Sequence, residues 1–172
     1  MSDHHEKALE TVRKLIKGID IAMLTTVTSE GLVSRPMKTQ EVEFDGDLYF
    51  LTKKDTGKYE ELKNNPHVNV VYAGDSYVSI RGTAELISSR EKIKQYWNTA
   101  YEKMLKTTVD DPNLVIIKVN AETAEYWETG NWVKSVLAFV YQLTGKDMKE
   151  TNINNQINLE STQTIHDAPG LH

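Results

Sequence analysis

A chain of 172 residues, 39% hydrophobic and 26% charged, is long enough to bury one core without covalent staples. It contains no cysteine, which excludes disulfides, thiol nucleophiles and zinc–thiolate centres. Its 20 basic and 25 acidic residues leave a formal charge of -5 with no basic block, which argues against general nucleic-acid binding. No apolar run reaches the length of a membrane span, and Met1 to Leu9 is too polar for a signal peptide, so a cytoplasmic protein without membrane contact is expected.

Leu9, Val12, Leu15, Ile16 and Ile19 recur at helical spacing, which predicts an amphipathic helix near Glu6 to Lys17 closed by Gly18. The β-branched run Ile21 to Val27, ended by Ser29-Glu30-Gly31, predicts a buried strand turning into a second one. That second strand is expected from Val33 to Phe44 and carries Arg35-Pro36-Met37. Proline cannot donate to a ladder, so it marks an edge, a bulge or an opening in the sheet. Arg35 has two candidate partners, a ligand phosphate or a surface carboxylate such as Glu30. Asp45-Gly46 offers the positive φ of a hairpin turn, so Asp47 to Thr52 is expected to pair back on the Arg35 strand.

Lys53, Lys54 and Lys58 then cluster around Asp55-Thr56-Gly57, where a helix carrying Tyr59 and Leu62 begins before Asn64-Asn65-Pro66 stops it. A helix start leaves backbone N–H groups unpaired, and its dipole favours an anion. This stretch therefore reads as a site for a phosphate-bearing cofactor whose flat part lies along the strands. The ordinary alternative is a helix capped by Asp55 or Thr56 with solvated lysines. Thr56-Gly57-Lys58 is not a nucleotide-binding loop, because Thr52 stands where the upstream glycine would be needed.

Val68 to Tyr72 and Tyr77 to Leu86 predict two more strands around Gly74-Asp75, with Gly82 marking a bulge or close backbone approach. Ser88 and Glu91 form a capping box, followed by one helix with an aromatic stripe from Ile93, Tyr96 and Trp97 to Met104. Asp110-Asp111-Pro112 reads as a solvated turn, and Val115 to Tyr126 as a sixth strand ending in Trp127. A closing helix is expected over Trp132 to Tyr141 with Gly145 as its stop. One domain, 1–160, is expected to end in an ordered arm near Leu159, with 161–172 a flexible tail. Six strands dominated by hairpins, with helices around them, point to a small antiparallel barrel.

Four of the five histidines, His4, His5, His166 and His172, lie near the termini and only His67 is internal, which builds neither a catalytic base nor a metal site. Chemistry would then rest on a bound cofactor that the protein orients.

Several strings in order carry a family resemblance: Gly31-x-x-Ser34-Arg35-Pro36-Met37, Leu48-Tyr49-Phe50-Leu51-Thr52, Lys58-x-x-x-Leu62-x-x-Asn65-Pro66 and Val78-x-Ile80-x-Gly82-x-Ala84. The chain resembles the pyridoxamine 5'-phosphate oxidase-like family of FMN-binding split barrels. Tyr96-Trp97-Asn98, Asp110-Asp111-Pro112-Asn113 and Ala124-Glu125-Tyr126-Trp127 are similar to its general stress protein 26 subgroup. The resemblance implies a six-stranded antiparallel split β-barrel with peripheral helices, and a homodimer with FMN sites at the subunit interface. It also implies a flavin-dependent oxidoreductase in a stress-associated role, with NAD(P)H as a possible donor.

Carried across residue by residue, the strand arginine falls on Arg35 and the backbone run along the flavin ring on Met37, Lys38 and Thr39. The second strand's contribution falls on Phe50, Leu51, Thr52 and Lys53, and the phosphate-binding triplet on Thr56, Gly57 and Lys58. Gly57 departs from the pattern, where a basic residue is usual. Trp97 and Trp127 are candidates for lining the open side of the flavin. The chain also has no arginine after Arg90, so the late segment that grips the vitamin phosphate in the true oxidases has no counterpart, and pyridoxamine phosphate oxidation is not expected. A non-catalytic flavin-binding protein, or a barrel loaded with deazaflavin or heme, are the alternatives.

Overall fold

The computed structural model describes residues 3–40, 44–128 and 154–158. Seven strands form one sheet: β1 (Ile21–Thr28), β2 (Gly31–Lys38), β3 (Asp47–Lys53), β4 (His67–Ala73), β5 (Ser76–Ile87), β6 (Leu114–Glu128) and β7 (Asn154–Asn158). Every pairing is antiparallel. Six strands follow the order β2-β1-β4-β5-β6-β3, and β7 joins β6 beside Thr123 to Trp127. Helices α1 (Asp3–Ile16), α2 (Gly57–Asn64), α3 (Arg90–Tyr96) and α4 (Thr99–Leu105) lie around the sheet. The result is an antiparallel split β-barrel: the sheet curls, and no ladder joins its two ends, β2 and β3, among the described residues.

The curl has a local cause. Between Arg81 and Gly82 the β5–β6 register shifts, so that Gly82 faces Ala121 while Arg81 faces Thr123, leaving Glu122 as the extra residue of a bulge. A bulge bends its strand and increases twist. Gly82 is required there, because a Cβ would lie 2.2 Å from the Asn120 carbonyl oxygen. The first half of β6 carries β3 on its other edge and the second half carries β7.

Alternation decides what the barrel encloses. Ala22, Leu24, Val68, Val70, Tyr72, Val78, Ile80, Leu48, Phe50, Ile117 and Val119 point inward, and Leu9 and Val12 of α1 join that core. The opposite face of β3 and β6 presents Leu51, Leu114 and Ile116 to Ile93 of α3 and Tyr101 of α4, a second, smaller core.

Four sequence expectations need correction. The Asp45-Gly46 turn does not make a hairpin: β2 pairs with β1, and β3 with β6. Gly46 does have a φ of 113°, but its carbonyl accepts the N–H of Ala121 at 2.9 Å, so the turn hands the chain from one end of the sheet to the other. The Arg35 strand accordingly ends at Lys38 rather than Phe44. The helix after β5 is capped by Ser89, whose hydroxyl accepts from the Lys92 N–H, not by Ser88. That helix is also two helices. Asn98 takes the Ala100 N–H on its side chain at 3.0 Å and starts α4 afresh, a competition with the helix backbone typical of asparagine. The expected closing helix over Trp132 to Tyr141 and the tail 161–172 lie outside the described residues. Among the described residues no helix is long and apolar enough to cross a membrane.

Candidate functional site

The β1–β2 register pairs Ala22 with Met37 and Leu24 with Arg35, so Arg35 shares the inward face with the core residue Met37, near the mouth of the barrel. A guanidinium there needs a partner. It finds one in Glu61 on α2: Nη1 donates to Oε2 at 2.6 Å and Nη2 to Oε1 at 2.8 Å. Thr26 on β1 completes the group, donating to Glu61 Oε2 at 2.8 Å and accepting from Arg35 Nη1 at 3.4 Å. Glu30, the carboxylate considered from sequence, is not the partner; it sits exposed in the β1–β2 turn.

Charge follows from this geometry. The hydrogen bond from Arg35 holds the Glu61 carboxyl below its usual range against the opposing effect of burial, and the same bond raises Arg35. Lys58, one helical turn from Glu61, is lowered first by burial and then by the Arg35 charge, with Glu61 opposing.

The start of α2 faces this group. Thr56 occupies the cap position, but its hydroxyl donates backward to the Lys53 carbonyl at 2.7 Å and caps nothing. The amides of Gly57 and Lys58 have no acceptor among the described residues. Gly57 leaves room as well: a Cβ there would sit 3.5 Å from Glu61 Oε1 and 3.8 Å from Arg35 Nη2, so the guanidinium lies directly beneath the first turn. Unpaired amides, two cations and an open approach suit a compact oxyanion such as a phosphate. Nearby in sequence, Thr52 is buried on β3, and its hydroxyl has no hydrogen-bond partner among the described residues. Such a group is costly unless something answers it.

The other sequence candidates are dispersed. Met37 and Phe50 place their side chains in the main core and Leu51 in the smaller one. Lys38 pairs with Asp20 at 3.2 Å, and Thr39 donates to the Ile19 carbonyl at 2.6 Å. Lys53 lies between Asp55 at 3.7 Å and Asp111 at 3.8 Å. Trp97 packs on the smaller core, its ring 5.8 Å from that of Tyr101. Trp127 pairs with Tyr77, whereas Lys53 pairs with Leu114 at the other end of β6, roughly 40 Å away along the strand.

Sequence reasoning missed Thr26 and Glu61. Glu61 carried one local signal, its i,i+3 spacing from Lys58. A separate cavity of about 530 Å3 lies between α1 and the start of β3, lined by Ile16, Ile19, Phe44, Leu48, Tyr49 and Tyr72 among others. It touches the candidate set at Thr39 and includes neither Arg35 nor Lys58.

The family model described as pyridoxamine 5'-phosphate oxidase like matches residues 7–150. The chain belongs to this family. General stress protein 26 of Bacillus subtilis is 34% identical over 89 residues, a match spanning 48% of this chain and 63% of that protein. The crystal structure of General Stress Protein 26 from Bacillus anthracis superposes with a TM-score of 0.61 at 27% identity, over 72% of this chain and 93% of the other. The general stress FMN/FAD binding protein of Xanthomonas citri has the same fold, with a TM-score of 0.61 at 23% identity, covering 72% and 89% of the two chains. This pyridoxamine 5'-phosphate oxidase-like protein therefore shares the split barrel of its relatives, with the Arg35–Glu61–Lys58 group at the mouth.

Proposed function

We propose that this protein binds FMN as a homodimer and acts as a flavin-dependent oxidoreductase in a general-stress role, reduced by a nicotinamide donor. One observation carries the reading: the unpaired amides at the start of α2 stand over the Arg35 guanidinium and beside Lys58, a donor set suited to the phosphate of a mononucleotide. Family membership and the flavin named for the Xanthomonas citri relative support it. In this reading Arg35, Thr56 and Lys58 hold the phosphate. The backbone of Met37, Lys38 and Thr39, and that of Phe50, Leu51, Thr52 and Lys53, borders the ring. The flavin supplies two-electron chemistry, and the chain orients it and sets its electrostatic surroundings.

The dimer is proposed from the outer face of the sheet. Register puts Ile21, Met23, Leu32 and Tyr77 on that one face, and all four are exposed apolar side chains. Trp97, packed on the smaller core, and Trp127, at the far end of β6 from Lys53, are proposed to line the flavin's open side in the assembly.

A second reading, flavin binding without turnover, has its own support. Arg35 is held as a cation and Glu61 as a carboxylate, so neither exchanges a proton near neutral pH. Visible absorbance and mass spectrometry of the released ligand test binding, and would also reveal a deazaflavin or heme. Stopped-flow mixing with NADH or NADPH then separates the readings: bleaching of the flavin supports the oxidoreductase, and bound flavin that neither donor reduces supports binding alone. Protein that is colourless and takes up no added FMN overturns both.

A further inference from the structure

We infer that Glu61 is the positioning residue of the anion site, aiming Arg35 so that the protein selects a flavin carrying a terminal phosphomonoester over one without it. The inference rests on the flavin reading above and adds a role for a carboxylate that, by charge alone, should repel a phosphate.

The geometry supplies the reason. Arginine presents a planar fork of N–H donors whose direction is set by whatever holds it. Glu61 takes one hydrogen from each Nη, and Thr26 engages Nη1 again. What remains is the Nε edge and the outer hydrogen of Nη2, and Nη2 lies 3.8 Å from the position a Gly57 side chain would fill, beside Glu61 Oε1 at 3.5 Å. The carboxylate therefore fixes the guanidinium and holds Nη2, with one hydrogen unused, beside the first turn of α2. Thr26 is buried and donates to the same carboxylate oxygen, so Glu61 is itself held from a second strand. Without Glu61 the Arg35 side chain would be free to reorient toward water at the barrel mouth. Pre-orientation of this kind raises affinity by removing the ordering cost at the moment of binding.

Dissociation constants for FMN and riboflavin, measured on wild type, Glu61→Ala, Glu61→Gln, Arg35→Met and the double variant Arg35→Met with Glu61→Ala, test this. Wild type is expected to prefer FMN. Both Glu61 variants should lose about tenfold in FMN affinity, the scale of one charge-assisted hydrogen bond, with riboflavin changed less than about twofold. On the Arg35→Met background, Glu61→Ala should add no further loss, because it acts through that arginine. If Glu61→Ala does not fold, Glu61→Gln carries the same test. An FMN preference that is unchanged or increased in the Glu61 variants, or a Glu61 effect that persists without Arg35, overturns the inference while leaving the flavin reading intact. Wild type that binds FMN and riboflavin equally well defeats the flavin-phosphate reading itself.

Discussion

Two places in the molecule, one in the sheet and one at the start of α2, show opposite uses of a close approach. Where β5 meets β6, the bulge at Gly82 brings backbone against backbone, with no room for even a methyl group beside the Asn120 carbonyl. At the barrel mouth, Gly57 leaves ordinary contact distances to Arg35 and Glu61, and two backbone amides have no acceptor among the described residues. Both glycines lack a side chain, yet one closes the structure and the other keeps it open. The first is a demand of the fold. The second is tolerated by the fold and is meaningful only if something binds. Substitutions at the two places should therefore separate stability from ligand affinity.

The largest effect is expected at the closed place. Gly82→Ala forces the β5 or β6 backbone to move and should lower stability by about 3 kcal/mol, a fall of roughly 6–12 °C in Tm for a domain this size. Thermal melting monitored by circular dichroism checks it, and a Tm within about a degree of wild type would mean that the Gly82 contact does not constrain the bulge.

At the open place, Lys58→Ala should weaken FMN binding by about 10- to 100-fold, consistent with the loss of a charge-assisted contact. The apoprotein's Tm should hardly change, because burial already disfavours the Lys58 ammonium. Flavin fluorescence titration alongside melting provides both numbers. Equal FMN affinity in the variant would remove the phosphate from α2.

A smaller effect is set by pH. The folded pKa of Glu61 is depressed below its usual 4.5, so the Arg35–Glu61 pair stabilises fully above that value and loses its contribution as pH falls through the lower folded value. For a pair this close to solvent, the contribution is about 1 kcal/mol. Wild-type Tm should accordingly fall more steeply on acidification than that of Glu61→Gln, and parallel profiles would show that the pair contributes nothing.

On monomer stability the smallest change is expected from Met23→Glu, within about 0.5 kcal/mol for an exposed position. Its effect should appear in assembly instead. Light scattering should report a dimer of the 19.6 kDa chain for wild type and a monomer for the variant. An unchanged dimer would place the interface elsewhere.

The same contrast explains what could be read from sequence. Gly82 within a strand pattern and Pro36 beside Arg35 are local signals, and they mark the bulge and the edge strand β2. The pairing of β3 was not local. Asp45-Gly46 is compatible with a hairpin, but Phe50, Leu51 and Thr52 are buried on both faces of β3, and the partner that matches them is the equally buried run Leu114 to Ile117. Burial on both faces, decided by distant residues, overrode the turn. The candidate site was legible in its cations: Lys58 because a basic residue at a helix start stands out, and Arg35 because it lies beside the strand proline Pro36. Glu61 was not, because a glutamate on a polar helix is unremarkable until the fold brings Arg35 to it from 26 residues away. The helix break at Asn98 was missed because the apolar stripe runs through it, while the competing cap is a single side chain.

We propose that the first turn of α2, with Arg35 and Lys58, holds the flavin's phosphate. Titrating cofactor-free protein with FMN and with riboflavin, under identical ionic conditions, tests it most directly. FMN should bind at least about tenfold more tightly than riboflavin, with the advantage shrinking as salt screens the two cations. Equal affinities, or an FMN advantage indifferent to salt, would contradict it.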